Sequence, residues 1–175
     1  MRKINIGVIG TGMMGQEHIQ NFNLLDDARV IALADTDDTM LAQALDMCDD
    51  TPSTSPDFEP LLSNPDIDAL VIATPNFHHV EVLKQGLESG KPILCEKPLC
   101  TNLQDTQMVV DTLADRDSVF QVGMEYRFKP ALADMIARVD RGDIGTLHML
   151  SIREHRFPFL PKVADWNRCN ANTGG

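Results

Sequence analysis

The sequence predicts an α/β fold: a doubly wound parallel sheet, followed by the beginning of an incomplete α+β domain. Two observations carry this. Short runs rich in Val, Ile and Leu alternate with longer segments of helical period, the pattern of strand-helix-strand units covered by helices. The connections between them are mostly short, which implies right-handed crossovers and strands that all run one way.

The elements follow in order. Ile4–Ile9 is an apolar run of strand length, and 12–25 has helical period. Residues 30–34 form the second strand and 39–47 the second helix. The stretch Thr51-Pro52-Ser53-Thr54-Ser55-Pro56 has two prolines among four hydroxyl residues, so a surface loop is expected, too short to link domains. Strands at 69–73, 93–95 and 119–122 alternate with helices at 78–89 and 103–115. After Gly123 the pattern changes: 130–141 reads as a helix, and 146–154, which mixes polar and apolar residues, as a strand that opens a second domain. The expected division is therefore 1–123 and 124–175. No internal repeat or low-complexity segment is present.

Composition narrows the function classes. The 175 residues carry a formal net charge of −11, with acids crowded into 26–68. Such a surface repels phosphate backbones and anionic lipid, so neither nucleic acid nor a membrane is an expected partner. No apolar stretch approaches the roughly 20 residues of a spanning helix, and a cytoplasmic protein is expected. The four cysteines, at 48, 95, 100 and 169, have no metal-ligand spacing and are too sparse for a disulfide scaffold; reduced thiols, mostly in the core, and no metal site are expected.

The chemistry begins at Gly10-Thr11-Gly12-Met13-Met14-Gly15, which leaves the first strand and enters the first helix. This is the context a dinucleotide fingerprint requires. Gly10 permits the tight turn, Gly12 lets backbone approach a pyrophosphate, and Gly15 lets helix pack close to strand. The helix N-terminus adds amides and a positive dipole end. Asp35 stands twenty residues past Gly15, at the end of the second strand, where a carboxylate can accept both hydroxyls of an adenosine ribose. Thr36, Asp37 and Asp38 follow, and no Lys or Arg appears before Lys84 to neutralise a 2′-phosphate, so NAD is expected rather than NADP. A methyltransferase could also open on a glycine-rich turn with a later acid, but the third glycine argues against it. The Tyr-x-x-x-Lys pair of short-chain dehydrogenases is absent, since Pro130 stands four residues after Tyr126.

Two more segments fall at strand ends, Ala73-Thr74-Pro75-Asn76-Phe77-His78-His79 and Cys95-Glu96-Lys97-Pro98-Leu99. The glycine fingerprint, Thr74-Pro75-Asn76 with His79, Glu96-Lys97-Pro98 and Tyr126-Arg127-Phe128 together resemble the glucose-fructose oxidoreductase and inositol 2-dehydrogenase family, Gfo/Idh/MocA. The resemblance spans nearly the whole chain. It implies hydride transfer between nicotinamide and a hydroxyl carbon of a sugar, cyclitol or related diol. Lys97 would orient or polarise the reacting oxygen, Glu96 would contact the cofactor, and Thr74, Pro75 and Asn76 would line the nicotinamide-ribose side.

His79 reads equally as a packing residue or a functional one, and His78 as exposed. Arg127 falls where the family's chain enters its second domain, as a cofactor contact or an interdomain ion pair. Arg153, His155, Arg156 and Trp166 are given no role. The family's second domain supplies an aspartate and a histidine just beyond the position of Gly175, so a non-catalytic dinucleotide-binding module stands as the alternative. A homo-oligomer associating through the 146–154 strand, with a small polyol or sugar as substrate, completes the expectation.

Overall fold

The computed structural model describes residues 2–114, 116–155 and 162–174. The chain divides into two units, residues 1–123 with 163–175, and residues 124–162. The first unit opens with β1 (Ile4–Ile9), α1 (Met13–Asn23), β2 (Ala28–Ala34), α2 (Asp38–Asp46), β3 (Ser53–Ser55) and α3 (Glu59–Ser63). It continues with β4 (Ala69–Ile72), α4 (His79–Glu88), β5 (Ile93–Cys95), α5 (Leu103–Ala114) and β6 (Phe120–Val122). All strands pair in parallel, in the order β3-β2-β1-β4-β5-β6. The order reverses between β1 and β4, and the carboxyl ends of strands at such a switch point form the crevice where doubly wound sheets hold ligands.

Both faces of the sheet are buried, which is why its central strands read as continuous apolar runs. Ile6, Val8, Val30, Leu33 and Val71 pack with Ile19 of α1 and Leu41 and Ala44 of α2. On the other face Ile9, Leu70, Ile72 and Ile93 meet Val82, Leu83 and Leu87 of α4 and Val109 of α5. α2 starts where its cap is strongest: the Asp37 carboxylate accepts the N–H groups of Thr39 and Met40.

One strand overturns the sequence expectation. Ser53–Ser55, read above as a loop, forms β3 on the sheet edge, paired with Ala32–Ala34. Its stability is in ladder hydrogen bonds rather than apolar burial, and polar residues flanked by prolines suit an edge. The Ser55 carbonyl also receives the Asp35 N–H at 3.2 Å, so this edge helps fix the acid. The short helix α3, also unforeseen, buries Leu61.

The second unit contains a 3-10 turn (Glu125–Phe128) and α6 (Pro130–Asp140), which begins on proline, a residue suited to the first helical position. Lys129 lies 3.5 Å over the Tyr126 ring, and Arg138 pairs with Asp134 at 2.7 Å. The strand expected at 146–154 is not formed: these residues are exposed and have no regular structure. A strand needs a neighbouring backbone to receive its hydrogen bonds, and among the described residues of this unit no other strand offers one. Ile144, Leu147, Met149, Leu150 and Ile152 are exposed. Within the first unit, the segment after 162 folds as a 3-10 stretch (Val163–Arg168) and α7 (Asn170–Thr173), with Trp166 edge-on to Phe77 at 6.2 Å. Arg156 lies outside the described residues. No helix among them is long and apolar enough to cross a membrane.

Candidate dinucleotide-binding site

The fingerprint turn is built by sterics. Gly10 has φ +89°, and a Cβ there would lie 2.5 Å from the Thr74 nitrogen, so the turn presses directly on the end of β4. A Cβ on Gly15 would overlap the Gly10 carbonyl oxygen, so only glycine lets α1 leave the strand this closely. Gly12 differs from both: nothing lies within 4 Å of where its Cβ would be. Its lack of a side chain is not needed for packing, and it keeps the approach to the α1 N-terminus clear. Among the described residues no side chain caps that terminus, and the positive end of the helix dipole lies at the cleared space.

Asp35 sits beside this turn. Its Oδ2 accepts the Thr11 N–H at 2.6 Å and the Thr11 hydroxyl at 3.0 Å, and its Oδ1 accepts the Asp37 N–H at 2.9 Å. Thr11 is fully buried, which makes it an anchor for the carboxylate. Met13 is exposed and Met14 half-buried along the first turn of α1.

The other half of the crevice is formed by the loops after β4 and β5. Thr74 carries a buried hydroxyl with no hydrogen-bond partner among the described residues; such an atom is costly unless something completes it. Pro75 precedes the 3-10 turn Asn76–His78, and both Pro75 and Asn76 are half-buried. His79, at the start of α4, is fully buried, with Nδ1 2.8 Å from the Pro98 carbonyl oxygen and Nε2 2.9 Å from that of Thr74. The imidazole therefore bridges the two loops. His78 is exposed as expected, 3.4 Å from Glu81.

Glu96 is buried at 6% exposure, and its Oε1 lies 2.9 Å from His18 Nε2 of α1 while its Oε2 accepts the Lys97 N–H at 3.2 Å. Burial pushes its carboxyl upward, but the His18 hydrogen bond and charge, with the amide and ammonium of Lys97, outweigh that and hold it below the usual glutamate value of 4.5. Gly123 makes room for the group, since a Cβ there would stand 2.9 Å from Oε1. Lys97 is half-buried at the rim. Burial raises the thiols of Cys95 and Cys100 beside the Lys97 loop and, with Asp49 and Asp50, raises that of Cys48 elsewhere in the fold to about 11.

The residues singled out in the sequence thus form an arc along the carboxyl ends of β2, β1, β4 and β5, from Asp35 through Gly10–Gly15 and Thr74–Asn76 to Lys97. Arg127 belongs to the second unit, exposed on its 3-10 turn, with its N–H on the Met124 carbonyl at 3.0 Å. His18 escaped the sequence reading. Its only signal was position, one turn beyond Gly15 on the helix that faces the sheet.

The arc fits a dinucleotide. An uncapped helix end and the open position at Gly12 suit a pyrophosphate, the Asp35 carboxylate suits a ribose diol, and the orphaned Thr74 hydroxyl suits a polar group at the opposite end.

Comparison with known proteins agrees. The profile of an oxidoreductase family with an NAD-binding Rossmann fold matches residues 4–124. An uncharacterized oxidoreductase, YrbE, of Bacillus subtilis is 32% identical over 93% of this chain and 47% of its own length. Inositol 2-dehydrogenase 2 of Saccharopolyspora erythraea is 34% identical over 93% and 48%. The crystal structure of myo-inositol dehydrogenase from Lactobacillus casei, in complex with NAD(H) and myo-inositol, superposes with a TM-score of 0.77 at 33% identity, over 82% of this chain and 43% of that one. The chain spans about half the length of the relatives it matches. With more than half of its residues matched by the profile, the chain belongs to the Gfo/Idh/MocA oxidoreductase family, and its first unit is an NAD-binding Rossmann domain.

Proposed function

We propose that the chain is the dinucleotide-binding part of an NAD-dependent oxidoreductase that moves hydride between nicotinamide and a hydroxyl-bearing carbon of a sugar, cyclitol or related diol. One observation carries the reading: the glycine turn and the Lys97 loop stand at the carboxyl ends of β1 and β5, on either side of β4, so a dinucleotide lying across the switch point with its adenosine at Asp35 has its ring end toward Lys97. The relatives named as inositol dehydrogenases support the substrate class.

Bound NAD supplies the hydride acceptor. The chain's residues do the rest. Asp35 accepts the adenosine ribose hydroxyls and repels a 2′-phosphate, since two unit charges about 4 Å apart cost up to ~4 kcal/mol at an effective dielectric near 20. Amides at the α1 N-terminus hold the pyrophosphate. Thr74, Pro75 and Asn76 would line the nicotinamide-ribose side, and Glu96 would contact the cofactor. Lys97 would hydrogen-bond the substrate oxygen through Nζ, orienting and polarising it for the transfer.

A turnover screen of the full chain with NAD and a panel of polyols tests this. Lys97→Met is expected to abolish turnover with at least one active polyol while leaving NAD affinity within a few-fold, because the lysine acts mainly in the transition state. Affinity lost in proportion to rate would reduce Lys97 to a binding residue; a silent panel would favour a non-catalytic binding module. The exposed apolar side chains of 144–152 support a homo-oligomer, and light scattering at several concentrations, with and without residues 124–175, tests the assembly.

A further inference from the structure

The loops after β4 and β5 are short of backbone donors. Pro75 and Pro98 lack an N–H, so at both strand ends the main chain has fewer hydrogen bonds with which to hold itself. Side chains take over, and two histidines reach the loop that carries Lys97. His79 stands between two carbonyls, with Nδ1 2.8 Å from the Pro98 oxygen that follows the lysine and Nε2 2.9 Å from the Thr74 oxygen; a ring N–H donates to one of them, and the buried ring packs the two loops together. His18 acts from the opposite flank through Glu96, whose second oxygen accepts the lysine's own N–H.

We propose that His18 and His79 are positioning residues for Lys97, clamping its main chain on both sides and registering it against the phosphate-binding helix and the Thr74 loop. Each arm is anchored in a rigid element, His18 in α1 and His79 at the start of α4. The rings are 17% exposed and fully buried, respectively, so neither hydrogen bond competes freely with water. His18 sits on the helix whose N-terminus faces the pyrophosphate, so the distance from phosphate to lysine is set inside one hydrogen-bonded network. A functional group must be held to within a fraction of an ångström, and supporting shells of this kind do so. The proposal rests on the reading that Lys97 lies at the ring end of the dinucleotide.

Reductive methylation of the full chain, with each lysine followed by peptide mass spectrometry, tests both ideas separately. In the unaltered protein NAD should slow modification of Lys97 and leave exposed Lys84 unchanged. Failure of NAD to protect Lys97 would overturn the reading of the site, and the proposal with it. If protection is present, His18→Leu and His79→Gln should each lower it about fivefold, the equivalent of one ordinary hydrogen bond, with NAD affinity retained and Lys84 constant. His18→Gln, which keeps an amide donor toward Glu96, should restore most of the protection.

Full protection in both variants would overturn the proposal alone. So would losses of protection, affinity and melting temperature that run in step, with His18→Gln no better than His18→Leu, because that pattern marks ordinary packing residues. Should His79→Gln fail to fold, the two His18 variants decide the matter.

Discussion

The two halves of the crevice are held by different means. Around the glycine turn the arrangement is steric: Gly10 and Gly15 allow backbone to touch backbone, and Asp35 is fixed by Thr11 and Asp37. Around β4 and β5 it is held by side chains reaching across the fold, with His79 on Pro98 and His18 on Glu96. The first half tolerates no added atom at Gly10 or Gly15, whereas the second depends on particular donors. Damage to one should therefore appear as lost folding and damage to the other as lost alignment.

The largest effect is expected from Gly15→Ala. A methyl overlapping the Gly10 carbonyl meets backbone on backbone, which cannot move aside, so urea unfolding should show a loss of about 3 kcal/mol or more. Gly12→Ala is the control that sharpens the contrast. With open space around the new methyl, stability should stay within about 1 kcal/mol of the original, while NAD affinity falls about tenfold or more because the pyrophosphate loses its close approach. Equal stabilities for the two variants would contradict the steric account of this half.

His79→Leu should cost about 2 kcal/mol, since the carbonyl of Thr74 or Pro98 that accepts the ring N–H loses its buried donor. Hydrogen exchange should then quicken at residues 96–100 before it does at 10–15.

Glu96→Gln should act through pH. The folded-state value of Glu96 lies below the unfolded one, so its contribution is present above about 4.5 and is lost as pH falls through the folded value. Melting temperature should drop less steeply below 4.5 in the variant than in the original; identical acid limbs would remove the His18–Glu96 pair from the account. The smallest effect concerns thiols: exposed Cys169 should be alkylated well before Cys48, Cys95 and Cys100, whose thiols burial holds protonated.

The same division explains what the sequence could reveal. β1 and β5 are found at the bounds expected from their apolar runs, and the fingerprint and Asp35 are legible because glycine, helix start and acid lie within one strand-helix-strand unit. β3 was hidden: three hydroxyl residues become a strand only because Ala32–Ala34 offers them a ladder. At 146–154 a strand-like pattern is present, and no strand among the described residues pairs with it. Residues 18 and 96 lie 78 positions apart, and no local pattern records that their side chains meet. His79 reads alike as packing or functional from sequence, because its role depends on two carbonyls brought together by tertiary structure.

The central claim is that this crevice selects NAD through Asp35. Titration of the full chain with NAD and with NADP, repeated on Asp35→Ala, tests it most directly. NAD should bind the original protein about tenfold tighter or more, within the ~4 kcal/mol that a carboxylate facing a phosphate at close range can supply, and the preference should narrow in the variant. NADP binding as tightly as NAD, or a preference unchanged by the loss of Asp35, would contradict the account.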